Sequence, residues 1–127
     1  MMLITLDAES AVPLFQQIVD SIERLILSNS LKVGDFLPSV RDLAVAHKIN
    51  PNTVSKAYQV LQVEGLVETV RGRGLVVAGQ REKARVVRKE VILTNKIKEL
   101  LVLRNELHVT PRELISLIQE VEKKETS

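Results

Sequence analysis

The sequence has 127 residues, 45% hydrophobic and 2% aromatic, with 18 Lys and Arg against 16 Asp and Glu and a formal net charge of +2. That length suits about one domain with a small appendage, and the apolar fraction supports a packed aliphatic core rather than a disordered chain. No cysteine is present, which excludes disulfides, thiolate catalysis and zinc–thiolate sites.

The start Met1-Met2-Leu3-Ile4-Thr5 lacks the charged and long apolar stretches of a signal peptide, and no apolar run approaches the roughly 20 residues of a membrane span. A cytoplasmic protein with no membrane partner is expected. The pI of about 9.0 hints at an anionic partner. Charge is unevenly placed, however. Residues 1–79 carry seven Lys and Arg against eight Asp and Glu, net −1, and residues 80–127 carry eleven against eight, net +3. A nucleic-acid surface on the first part must therefore rest on where single charges fall.

In chain order, residues 3–6 are apolar and β-favouring, a short strand by pattern. Pro13 opens a helix whose face is Leu14, Ile18, Ile22, Leu25 and Ile26, spaced by three and four. Asn29 and Ser30 stop it, and Gly34-Asp35 marks a turn. Ser39 starts a second helix, with Asp42 three residues on as in a capping box, and with Val40, Leu43 and Ala44 on its buried face. It ends near His47-Lys48. Asn50-Pro51 starts a third helix, Asn as cap and Pro at the first helical position, carrying Val54, Ala57, Tyr58 and Leu61 inward; Gly65 ends it. Residues 66–70 and 75–78 read as strands joined by the turn Arg71-Gly72-Arg73-Gly74, a hairpin. Charge-rich residues 80–90 form a linker or the start of a long helix, continued by Leu93, Ile97, Leu100, Leu101 and Leu107. Thr110-Pro111-Arg112-Glu113 is the clearest capping box in the chain, and the last helix carries Leu114, Leu117, Ile118 and Val121.

The predicted fold is thus mainly α with a small β hairpin: a winged helix-turn-helix domain at 1–79, followed by a two-helix dimerisation tail at 80–127. Two short helices joined by about three or four residues are a helix-turn-helix. The third helix is sized for a major groove about 12 Å wide. Its first part shows Asn50, Asn52, Thr53, Ser55 and Lys56, short hydrogen-bonding groups and one cation able to meet base edges and phosphates. No acid occurs from Leu43 to Val63. Ser39 lies where helix N–H groups can bind phosphate, and Arg41 reaches out just behind it. Arg71 and Arg73 stand on a Gly-flanked turn that can approach backbone or minor groove.

Each residue also has a plainer use. Arg41 could pair with Asp42, Thr53 could cap its helix, and Lys56 could be a solvated lysine. Tyr58 is expected in the core. His47 and His108 lie far apart with no partner at ligand spacing, so no metal is expected. No nucleophile–base pair, phosphate loop or paired carboxylates appear, so neither an enzyme nor a cofactor is expected. The tail stripes, Leu93 through Val121, are too much apolar surface for two helices to cover alone, which predicts a homodimer.

The segments Gly34-Asp35-Phe36-Leu37-Pro38-Ser39-Val40-Arg41-Asp42-Leu43-Ala44, Asn50-Pro51-Asn52-Thr53-Val54, Ala57-Tyr58, Glu64-Gly65-Leu66-Val67 and Arg71-Gly72-Arg73-Gly74 closely resemble the DNA-binding domain of GntR-family regulators, over about Pro13 to Ala78. The opening Pro13-Leu14-Phe15-Gln16-Gln17-Ile18 and the short tail look like the YtrA-type subfamily. About 48 residues follow the winged domain, too few for the ligand or aminotransferase-like domains of larger relatives. The resemblance implies a dimer, a palindromic operator in double-stranded DNA and usually repression, and the YtrA-type likeness points to a transporter operon. It also implies DNA contacts at Arg41, Asn52, Thr53, Ser55, Lys56 and Gly72. Relatives with other tails often have Arg early in the third helix, where this chain has Asn50, Pro51 and Asn52, so their base preference does not transfer. The sequence indicates no small-molecule effector. A polar pocket between the tail helices would favour one, and a dry aliphatic seam favours dimerisation alone. A winged helix serving only protein interaction is the rival from another class.

Overall fold

A computed structural model describes residues 4–126. In chain order the elements are α1 (Leu14–Leu27), α2 (Val40–His47), α3 (Pro51–Val63), β1 (Val67–Val70), β2 (Gly74–Val77), α4 (Glu82–Glu106) and α5 (Pro111–Glu125). They fall into two compact units, one ending at Arg85 and one beginning at Val86. These are helical elements with a two-stranded antiparallel hairpin, the architecture expected from the periodicity.

Local chemistry sets most of the boundaries. The Ser39 hydroxyl accepts from the Asp42 N–H at 3.0 Å, and the Asn50 side chain accepts from the Asn52 N–H at 2.8 Å, so α2 and α3 each start on a side-chain cap. Lys48 closes α2 in the left-handed region at φ 54°. At the end of α3 that conformation falls to Gly65, φ 75°, where the missing Cβ removes the strain.

The first unit packs α1 and α2 against α3. Ile18, Ile22, Leu43, Val54, Ala57 and Leu61 are wholly buried, joined from the hairpin by Val67 and Val77. Burying each Leu or Ile contributes roughly 1.5–3 kcal/mol. The hairpin pairs Val67 with Val77 through to Val70 with Gly74. Its outer strand is also paired on its other edge: the Leu37 N–H donates to the Leu75 carbonyl and the Val77 N–H to the Asp35 carbonyl, both at 2.9 Å. Residues 35–37 thereby tie the start of α2 to the wing.

One sequence expectation changes. The strand expected at 3–6 does not form over residues 4–6, and Leu3 lies outside the described residues. Ile4 and Leu6 instead pack on the core from a loop. The Gln17 amide takes the backbone of that loop, exchanging hydrogen bonds with Asp7 at 2.8 and 2.9 Å and donating to the Val12 carbonyl at 2.8 Å. Of the two readings open for residues 80–90, the start of a long helix is the one observed: Glu82 opens α4.

In the second unit, Thr110 caps α5 as expected, accepting from the Glu113 N–H at 3.2 Å. No residue of α5 is buried. His108, in the left-handed region at φ 54°, turns the chain between α4 and α5, and α5 builds no core within one chain.

Candidate nucleic-acid interface

At about 100° per residue, the buried residues Val54, Ala57, Tyr58 and Leu61 define the inner face of α3. Asn52, Lys56, Gln59 and Val63 then stand directly opposite, and all four are exposed. Thr53 and Ser55 lie on the two flanks and are half-buried. The polar part of the outermost ridge is therefore Asn52, Lys56 and Gln59, with the exposed Val63 at its C-terminal end. Sequence reasoning missed Gln59, although its spacing of seven from Asn52 and three from Lys56 would have found it.

The capping ambiguity at the start of α3 resolves in favour of Asn50, whose side-chain oxygen takes the cap bond. The Thr53 hydroxyl is not the cap. Lys56 is exposed but not free: its ammonium lies 3.9 Å from the centroid of the Phe15 ring on α1. Such a cation–π contact at an exposed site is worth about 0.5–1 kcal/mol and narrows the volume the charge explores.

On α2, Ser39 and Arg41 are exposed. The Ser39 hydroxyl serves as the cap, and among the described residues Arg41 forms no ion pair with Asp42. Behind them, Tyr58 is buried and donates to the Pro38 carbonyl at 2.8 Å. This joins α3 to the residue just before the α2 cap. Burial pushes the Tyr58 phenol well above its ordinary value, so it remains a donor at any physiological pH. As expected, Tyr58 is a core residue.

Every residue of the wing turn Arg71-Gly72-Arg73 is exposed. Gly72 has φ 76°, and a Cβ there would meet nothing within 4 Å, so its backbone is bare toward solvent. Arg73 lies over the Phe36 ring, its guanidinium carbon 5.3 Å from the ring centroid. The aromatic is again one that sequence reasoning passed over. The structure thus brings the candidate residues into two groups on one unit: the α2–α3 group of Ser39, Arg41, Asn50, Asn52, Thr53, Ser55 and Lys56, and the wing group of Arg71, Gly72 and Arg73. No acid interrupts α3.

Residues 14–77 match the model of the bacterial regulatory proteins, gntR family. The chain belongs to the gntR family. It is 40% identical over 100 residues to the HTH-type transcriptional repressor YtrA of Bacillus subtilis (strain 168), covering 79% of this chain and 77% of that protein. The crystal structure of a transcriptional antiterminator from Listeria monocytogenes EGD-e superposes with a TM-score of 0.72 at 32% identity, over 95% of this chain and 90% of that one. YtrA from Sulfolobus acidocaldarius, a GntR-family transcription factor, does so with a TM-score of 0.57 at 31% identity, over 98% and 100%. These matches support the YtrA-type likeness and the winged helix fold. As a gntR-family member the chain is a DNA-binding transcription regulator, and regulators of this family are not enzymes. Among the described residues no helix is long and apolar enough to cross a membrane.

Proposed function

We propose that this chain is a cytoplasmic homodimeric repressor that binds a palindromic operator in double-stranded DNA. The observation that carries the DNA-binding geometry is the outer ridge of α3, where Asn52, Lys56 and Gln59 are exposed on a helix without one acid. Residues 1–79 bind DNA and residues 80–127 dimerise. In this reading α3 enters the major groove, Asn52 and Gln59 read base edges, and Thr53 and Ser55 contact the groove walls from the flanks. Ser39, Arg41, Asn50 and Lys56 meet phosphates, and Arg71, Gly72 and Arg73 lie on backbone or minor groove.

The dimer is supported by what the tail leaves uncovered. Leu93, Ile97, Leu100, Leu101, Leu107, Leu117, Ile118 and Val121 are exposed in the single chain and Leu114 is half-buried. A second copy of the tail covers this surface and supplies the paired domains that a palindrome requires. The YtrA-type likeness supports repression, and a transporter operon as the target.

Selection of bound sequences from a random DNA pool, with ultracentrifugation of the same preparation, tests both parts. A dimer that returns an inverted repeat is the expected result. A monomer at micromolar concentration sinks the dimer, and no enriched motif sinks base reading. An effector-sensing reading has in its favour only an open surface concavity on α5, lined by Val109, Arg112, Glu113, Ser116, Leu117 and Glu120, with no residue of α4 in it. A metabolite that shifts operator affinity would favour it.

A further inference from the structure

Arg85 is the most deeply buried cation among the described residues, with 9% of its surface exposed. Its Nη2 lies 3.1 Å from the Ile26 carbonyl oxygen, 3.0 Å from that of Leu27 and 2.7 Å from the Asn29 side-chain oxygen. Two hydrogens on that nitrogen serve three acceptors, so one is shared. Two of the acceptors are carbonyls of the last turn of α1, where the helix dipole is negative; Ile26 also accepts from the Asn29 N–H at 3.1 Å, while Leu27 lies among the carbonyls that a helix end leaves without an intrahelical donor. The third belongs to Asn29, held in the left-handed region at φ 63° immediately after the α1 cap. Glu82, one turn earlier on α4, comes within 4.0 Å of the Arg85 Nε but is largely exposed and adds little.

Arg85 sits in the first turn of α4, which then runs unbroken to Glu106. Truncating this charge takes the donor from the Leu27 carbonyl and leaves the Ile26 carbonyl only the Asn29 N–H, at 3.1 Å. The bond set is also directional, because guanidinium donors are planar and fixed in angle. A greasy contact at this place would hold the start of α4 against the end of α1 with far less angular definition.

We propose that Arg85 is a positioning residue for operator recognition: by clamping the first turn of α4 to the carbonyl end of α1, it sets the half-site spacing that the dimer accepts. This rests on the dimeric reading above. A dimer reads two half-sites only at the separation its linkage allows, and a loosened linkage lowers the effective concentration of the second domain while widening the spacings it tolerates. Arg85 contacts no DNA in this scheme. Its loss leaves the affinity of one domain for one half-site unchanged.

The test is random-pool selection with full-length wild type, Arg85→Gln and Asn29→Gly. The last removes one acceptor at a backbone conformation that glycine adopts without strain. Thermal melting and affinity for a single half-site duplex are measured beside it. Wild type should return one spacing. Arg85→Gln should return several, bind the wild-type full site about tenfold more weakly, and keep its half-site affinity within about twofold. Asn29→Gly should broaden spacing to a smaller degree, and it decides the matter if Arg85→Gln fails to fold. Variants that fold and keep the single wild-type spacing overturn the Arg85 assignment and leave the dimer standing. Wild type that selects lone half-sites overturns the dimer, and this proposal with it.

Discussion

The two units of this chain use the same aliphatic alphabet to opposite ends. In the first, Ile18, Ile22, Leu43 and Leu61 are fully buried against one another. In the second, Leu93 is 62% exposed and Leu117 52% exposed, although both lie on helices as well formed as α1. A helical stripe predicts a buried face but not what buries it. Three short helices and a hairpin close a core on themselves; a long helix and one more do not.

Charge at the proposed tail seam breaks that comparison most severely. Leu100→Asp with Ile118→Asp should leave the first unit folded, give a monomer by ultracentrifugation and weaken operator binding about 10²- to 10⁴-fold by removing the linked second domain. A dimer that persists would place the interface elsewhere.

Next in size is the core itself. Leu61→Ala should cost about 2–5 kcal/mol of unfolding free energy, independent of protein concentration. Leu117→Ala should instead destabilise in a concentration-dependent way, because in the proposed dimer its partner is another chain. Denaturant melts at two concentrations separate them, and identical behaviour would erase the distinction between the units.

Asn52→Ala and Gln59→Ala should each cost about 1–3 kcal/mol of specific binding and relax preference at one position per half-site. A selected motif unchanged by both would remove the α3 ridge from base reading. Thr53→Ala and Ser55→Ala, from the flanks, should do less.

Tyr58→Phe should cost about 1 kcal/mol by removing the bond to the Pro38 carbonyl. The same residue has a pH signature. Its phenol is raised by burial in the folded state and titrates near its ordinary value of about 10 when unfolded. The unfolded chain therefore gives up this proton first as pH rises, and the stability contributed by the buried neutral phenol is complete below about pH 10 and lost above it. This is the one tyrosine in the chain, so ultraviolet titration reads it alone. Ordinary titration in the folded protein would contradict the burial.

The smallest effect expected is at the wing. Arg71→Ala should weaken binding to all sequences alike and reduce the salt dependence by about one unit for each phosphate left without its cation. Arg73→Ala should do so less cleanly, since Arg73 also rests on Phe36.

The helices, their caps and the hairpin were legible because each rests on neighbours a few residues apart. Ser39, Asn50 and Thr110 accept from N–H groups two or three residues on, Pro51 and Pro111 open their helices, and Gly65 follows the end of α3. The same locality made the family legible, since residues 34–74 hold its motif together. The fate of residues 4–6 was not legible. A short apolar run says only that it will be buried, and the Gln17 amide that holds this loop is ten residues from Asp7.

The α3 face was read only in part. The eye follows runs of polar residues along the chain, whereas the helix sorts them by angle, moving Thr53 and Ser55 to the flanks and bringing Gln59 forward. Arg85 was the furthest from reach, one cation among many in residues 80–90. What the sequence by itself determined about this protein is its elements, their ends and the class of surface each would show, because helix period, capping and turn chemistry are short-range. Only the tertiary structure decided which cation is buried, which aromatic lies under Lys56 and under Arg73, and which apolar stripes stay uncovered. Those depend on segments up to 59 residues apart, and no local pattern carries the distance between them.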